Sequence, residues 1–413
     1  MNQPMFFLRF FHLTATSFAA FLGSGGPLQG QEYERLPVLN ASDLLQPAWR
    51  ESSLHRVDPE VRIEEGLGMF VLRSVHGVEE VHGSDLLRKR VREIHATAAL
   101  AEKGVGGAAV KGLVDETAGT VKNLGSAVKR PVRTVLNIPK GIGSVVKGAA
   151  GSMKNQVKDK GNYSGGPVRD WFDVSEQKLK LAAELGVDPY SDFQPLQDQF
   201  ARLAGTSTLS GLGIRIIVPG DGIIGAAAKG EASRQLNNVF LTPPSQLLRE
   251  NNSLLQGAGI PQEVAADFFG NRNWSPAEQA LLAREIASFG RPAGAAGFLA
   301  AAGDVLDRAD AFHFLRSAEL LQLLHRQGTA ITGLFSFYGF PAGTTSEKRL
   351  VVPLALDRVY WTENAGRFAD ALLAEASAAG YAGADVLLGG RISDLAAAQL
   401  AAKGIRVIPV SRE

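Results

Sequence analysis

The sequence predicts an α+β protein, predominantly helical, with an N-terminal hairpin plus helix and a small C-terminal βαβαβ unit. Three observations predict it. Capping signals followed by apolar residues at helical spacing recur from 161 to 327, with Ser275-Pro276-Ala277-Glu278 the clearest. From 328 to 413 short apolar runs alternate with helical stretches, the pattern of parallel strands joined by crossover helices. Before both, a Gly- and Lys-rich segment over 101–160 repeats with an eleven-residue period, which keeps one apolar stripe along a helix.

Composition narrows the chemistry. The 413 residues suffice for several domains with sizeable cores. Charge is balanced, 43 Lys plus Arg against 42 Asp plus Glu, which argues against a uniformly basic nucleic-acid binder. The chain has no cysteine, so disulfides, thiolate metal sites, iron–sulfur clusters and cysteine nucleophiles are excluded.

The elements follow in order. Arg9 is the only charged side chain before Glu32, and the apolar run Phe10 to Leu22 ends in Gly23-Ser24-Gly25-Gly26-Pro27. That layout predicts a secretory signal over 1–30, cleaved between Ser24 and Gly30, with an uncleaved anchor or a buried first helix as the alternatives. The location expected is periplasmic or extracellular, peripheral on a membrane, and a chain without thiols suits an oxidising compartment. An N-terminal region, 31–100, begins irregularly around Pro37, Pro47 and Pro59. Met69 to Leu72 and Val78 to Val81 then flank His76-Gly77 as a hairpin. Ser84 is expected to cap a helix whose inner face is Leu87, Val91, Ile94 and Ala98, leaving Arg88, Lys89, Arg90 and Arg92 on a solvated face.

Segment 101–160 has eleven Lys or Arg, four Asp or Glu and ten glycines, and no aromatic residue. Val110, Val121 and Val132 recur in register, as do Leu113, Leu124, Val135 and Val146. Lys111, Lys122, Lys129, Arg130, Arg133, Lys140 and Lys147 flank the stripe. The pattern resembles the eleven-residue repeats of lipid-surface proteins such as apolipoproteins and synucleins, which implies an anionic membrane surface as partner. Pro131 and Pro139 interrupt the helix, each at about 3 kcal/mol in an interior position. The segment therefore needs a surface to fold on; the readings are a membrane, the rest of this protein, or a basic linker.

In the helical domain, 161–327, Ser175 opens a helix closed by Gly186, Asp188-Pro189 turns into the next, and Thr242-Pro243 starts another. A long Ala- and Leu-rich helix is expected from about Ala295 to His325. Gly220-Asp221-Gly222-Ile223-Ile224-Gly225-Ala226 follows an apolar run and matches the dinucleotide fingerprint, but Pro219 precedes it and no acidic residue follows where a ribose would need one. A glycine-rich connection is the better reading. Asp310 and His313 have half the spacing of a dimetal carboxylate site, without a second half. No cofactor and no metal site are implied.

The C-terminal unit, 328–413, holds the ligand-site candidate. Leu334 to Tyr338, Leu350 to Leu356, Asp385 to Leu388 and Arg406 to Val410 are strand candidates, with helices capped by Thr362 and Ser393. In parallel sheets ligands sit beyond the carboxyl ends of the strands. There the chain carries Asp357, Arg358, Gly389, Gly390, Arg391 and Ser393. Glycine N–H groups, a helix N-terminus and a guanidinium suit a phosphate or carboxylate, although a plain strand-to-helix turn also explains Gly-Gly.

Taken together, the hairpin and basic helix at 68–100, the Gly/Lys segment and Leu185-Gly186-Val187-Asp188-Pro189-Tyr190-Ser191-Asp192 resemble a family of exported bacterial proteins with no assigned activity. The resemblance carries no functional residue. The leading expectation is a non-enzymatic envelope protein whose basic segment associates with a membrane surface or a protein partner. The alternative is an enzyme or binding protein using the C-terminal anion site.

Overall fold

The structure, a computed structural model, describes residues 33–103, 174–203 and 231–410. The chain divides into Met1–Tyr33 and Glu34–Glu413, and the architecture below is that of the second unit. The segment 1–30 expected to be a signal, the eleven-residue repeat from Val110 and the Gly220–Ala226 motif lie outside the described residues.

The first sheet is antiparallel: β1 (Val38–Asn40), β2 (His55–Val57), β3 (Glu60–Glu64), β4 (Leu67–Ser74) and β5 (Gly77–His82). β4 lies at its centre, with β5 on one flank and β3 then β2 on the other. Val61 and Ile63 point into the core while Glu60, Arg62 and Glu64 face out, the period-two pattern of a half-buried strand. Gly77, at φ +116°, takes the turn conformation that a side chain would oppose. Short α1 (Ala41–Leu44) and α2 (Pro47–Arg50) lie between β1 and β2, and α2 buries Trp49. α3 (Ser84–Lys103) buries Leu87, Val91, Ile94 and Leu100 in the same core, each contributing roughly 1.5–3 kcal/mol on burial. α4 (Glu176–Leu185) and α5 (Gln194–Leu203) add Leu181, Leu196 and Phe200 to it.

The turn between α4 and α5 joins this module to the helices that follow. Gly186 closes α4 in the left-handed region. The Asp188 carboxylate accepts from Tyr190 N at 2.8 Å and from Ser275 Oγ at 2.7 Å. Ser191 Oγ donates to buried Glu93 at 2.6 Å. Two of the four α3 cations expected in solvent point into this junction instead: Lys89 reaches Glu278 at 3.0 Å, and Arg90 pairs with Glu93, Glu79 and Asp192. Burial pushes the Asp188 carboxyl above its ordinary value, and Glu278 adds to the rise. Burial opposes ionised Glu278 as well, but Lys89 and Arg308 outweigh it and hold that carboxyl low. The Lys89 ammonium, also desolvated, is carried to about 12 by Glu278, Glu93 and Asp188.

α6 (Glu231–Leu241), α7 (Pro244–Gly257), α8 (Gln262–Gly270), α9 (Pro276–Ser288), α10 (Ala295–Gly303) and α11 (Arg308–Arg326) follow. α9 opens with the full capping box of Ser275 and Glu278. α7 begins at Pro244 with Pro243 as its cap, while the Thr242 hydroxyl bonds back to Asn238 O. The single long helix expected from Ala295 is two helices. Asn271 Nδ2 takes the carbonyls of Gly303 and Val305, and Asp307 caps a fresh start, accepting from Asp310 N.

The second sheet has the order β12-β10-β8-β7-β6. β6 (Ile331–Phe337), β7 (Phe340–Thr345) and β8 (Arg349–Leu354) form an antiparallel meander. β10 (Gly383–Leu388) and β12 (Arg406–Pro409) continue parallel to β8. A ladder of β9 (Arg358–Val359) and β11 (Arg391–Ile392) extends past their carboxyl ends, into α12 (Glu363–Ala378) and α13 (Asp394–Ala402). Alternate residues face opposite layers. Val351 and Leu387 join the core of α8 to α11, while Leu350, Val352, Val386 and Leu388 join Phe368, Leu372 and Leu400 of α12 and α13. Buried Asp385 locks three strands in register, taking Arg349 from β8 and Arg406 from β12.

The fold is thus mixed α/β rather than predominantly helical. Among the described residues twelve strands form three sheets. The helices of the middle region cover one face of the second sheet and share its core. Two things hid this from the sequence. β1 to β3 are short and punctuated by proline, and β7, Phe-Pro-Ala-Gly-Thr-Thr, has neither alternation nor a run of β-branched residues. No helix among the described residues is long and apolar enough to cross a membrane.

Candidate anion site

A cavity of about 590 Å³ opens where the parallel strands end. Asp357 follows β8, Gly389 and Gly390 follow β10, and Val410 follows β12. α1 and α2 form the facing wall, with Leu44, Leu45, Pro47 and Arg50, and the first turn of α3 adds Ser84 and Arg88.

Asp357 is the clamp of this site. Its carboxylate accepts from Gly68 N at 2.9 Å, Ser84 N at 3.0 Å and Ser84 Oγ at 2.5 Å. Ser84, expected to cap α3 itself, is its first residue, and a carboxylate 273 residues away supplies the cap. A negative group at this end is favoured by the helix dipole and satisfies donors the helix leaves unpaired. The backbone N–H groups of Asp357 and Arg358 both bond Gly66 O, so the β3–β4 turn docks on the same strand end.

The glycine pair does not form an N–H cradle. Gly389 N donates to Leu354 O and Arg391 N donates to Asp357 O, continuing the strand pairing. Gly390 is needed for a steric reason: a Cβ there would lie 2.1 Å from Leu356 O and 2.5 Å from Asp357 O. The N-terminus of α13 is already supplied with an anion. Ser393 Oγ accepts from Ala396 N and donates to Glu34 at 2.6 Å, and the same carboxylate takes Trp361 N at 2.5 Å.

The sequence candidates therefore separate. Asp357, Gly389, Gly390 and Arg391 line the cavity. Ser393 is engaged by Glu34, and Arg358 stacks over the Tyr360 ring at 5.8 Å. The basic residues Lys111, Lys122, Lys129, Arg130, Arg133, Lys140 and Lys147 fall outside the described residues. Half-buried His313 packs against Gly83, and no group of three His, Asp or Glu side chains among the described residues is arranged to hold a metal. Arg50 and Arg88 were missed by sequence reasoning: Arg50 has no local motif, and Arg88 reads as part of a solvated helix face.

Three guanidiniums meet this cavity in different states. Arg88 is held by Asp85 at 2.8 Å. Arg50 and Arg391 have no carboxylate partner among the described residues, and the Arg50 Nε is buried without a hydrogen bond. The two lining acids are spent: Asp357 on Gly68 and Ser84, Asp43 on the capping box of α1. Two unpaired planar forks beside apolar Leu44, Leu45, Pro47 and Val410 can hold an oxyanion attached to an apolar body. No protein-family profile, curated protein or solved structure matches this chain.

Proposed function

We propose that this protein binds a small anionic molecule, a phosphate or carboxylate compound, in the cavity at the carboxyl ends of β8, β10 and β12. The observation that carries the reading is the pair of uncompensated guanidiniums, Arg50 and Arg391, lining one concave site. The Arg50 Nε, desolvated without a partner, is costly and an oxyanion ligand removes that cost, while exposed Arg391 offers a second fork to the same ligand. Binding is preferred to catalysis because the two serine hydroxyls lining the cavity are committed, Ser84 Oγ to Asp357 and Ser42 Oγ to Asn40. The test is calorimetric titration with inorganic phosphate, a phenyl phosphate and a dicarboxylate. Each of Arg50→Ala and Arg391→Ala is expected to weaken the best of these about tenfold or more. Identical affinities in all three proteins would reject the reading.

The basic segment supports a second proposal, carried by its +7 excess of Lys and Arg and its eleven-residue repeat. We propose that it brings an exported protein to an anionic membrane surface. Flotation with anionic but not neutral vesicles, lost on deletion of 101–160, is the expected result; equal flotation of both proteins would sink it.

A further inference from the structure

Behind α2, on the chain that supplies Arg50 to the cavity, three donor atoms converge. Ser52 Oγ lies 2.8 Å from His55 Nδ1 and 3.4 Å from His95 Nε2, and the two nitrogens are 3.3 Å apart. Ser52 and His55 belong to the turn into β2, while His95 comes from α3 on the other side of the same core. A tetrahedral zinc ion with Zn–N bonds of about 2.0–2.1 Å separates its ligands by about 3.3–3.4 Å. Two of the three separations match that spacing, and the third, 2.8 Å, lengthens to it by a movement of about half an ångström of the Ser52 hydroxyl, which also accepts from Leu54 N at 3.0 Å.

Two further observations point the same way. His55 Nε2 faces the Trp49 carbonyl at 3.4 Å, the arrangement by which a backbone oxygen fixes the tautomer and leaves Nδ1 with its lone pair free. An imidazole with its ordinary value of about 6.5 is mostly neutral at pH 7.5, the state a metal requires. Ser52 and His95 are only part-buried, which leaves solvent to fill the open coordination position, and exposed Glu51 adds negative potential at His55.

We propose that His55 Nδ1, His95 Nε2 and Ser52 Oγ form a site for a divalent zinc ion completed by water, pinning the α2–β2 turn to α3. Only neutral ligands are used, so the ion binds with no proton released from the histidines. The full chain, free of any histidine tag, is titrated with Zn2+ at pH 7.5. One equivalent is expected to bind with micromolar affinity, and Co2+ in its place is expected to give the visible absorption of a tetrahedral centre. Ser52→Ala should weaken binding a few-fold, and His95→Gln, on the part-buried side, at least tenfold. His55→Gln is read alongside circular dichroism, because its side chain is fully buried. Nitrogen-15 spectra of the bound protein should show His55 ligated through Nδ1 and His95 through Nε2. Absence of one-to-one binding overturns the proposal, as does binding that survives both histidine substitutions in folded protein, which would mean an adventitious ion only at His76, His82 or His325.

Discussion

The junction at Asp188 and the cavity at Arg50 use the same side-chain types to opposite ends. In the junction, cations from α3 and α11 meet carboxylates from α3, α9 and the α4–α5 turn: Lys89 with Glu278, Arg90 with Glu93, Arg308 with Asp192 and Glu278. In the cavity the acids are consumed by backbone N–H groups and a hydroxyl, and two guanidiniums are left over. The difference teaches where charge serves the fold and where it waits for something else. A buried pair gains little over an apolar pair, yet losing one member leaves the other stranded in low dielectric. Arg391, exposed and unpaired, is expected to contribute little to the fold.

The largest effect expected from that comparison is in the junction. Glu278→Ala should cost about 3–5 kcal/mol, because Lys89 and Arg308 lose their buried counter-charge. The double variant Lys89→Met/Glu278→Leu should recover most of it; urea unfolding of both proteins checks the pair. If the single and double variants are equally unstable, packing rather than charge holds the junction.

Asp357→Ala is expected to rank next, at about 2–4 kcal/mol, since four buried donor contacts from Gly68 and Ser84 lose one acceptor. It joins the second sheet to α3, so hydrogen exchange should rise first in the opening turn of that helix.

Acid probes a third kind of buried group. The His55 pKa is depressed when folded, so its contribution to stability is complete above the ordinary value of 6.5 and is lost as pH falls toward about 4. The whole loss is at most about 3 kcal/mol. Unfolding midpoints at pH 7, 5 and 4 should fall more steeply for the native chain than for His55→Gln. Parallel curves would show that acid acts elsewhere.

The smallest effect on stability belongs to the cavity. Arg391→Ala should change the unfolding free energy by less than about 0.5 kcal/mol, because the side chain is exposed and unpaired. Its anion affinity is the quantity expected to fall. A large stability loss instead would mean that Arg391 is structural and would erase the contrast with the junction.

Legibility in the sequence tracked how local the cause was. The capping box at Ser275 and Glu278, the stop at Gly186 and the caps at Thr362 and Ser393 involve residues within four positions of one another, and they stand in the structure. The long helix from Ala295 failed where a remote side chain, Asn271, took its carbonyls. Gly390 was legible as a turn glycine, but its reason, two carbonyls of the neighbouring strand end, was not. Ser52, His55 and His95 carry no motif, since the spacing between them is set by a strand and a helix on opposite sides of one core.

By itself the sequence determined the helix starts at Ser175, Ser275, Thr362 and Ser393, the stop at Gly186, the parallel strand-helix alternation of its last part and the arginine and glycines at the strand ends. These follow from backbone sterics, capping and periodicity, which act within a turn or two of chain. Only the tertiary structure decided that the middle helices and the C-terminal sheet share a core, that Asp357 caps a helix 273 residues before it, and which arginines go unpaired. Pairing of charge and burial of apolar faces depend on what lies across the core, and the chain alone does not state that.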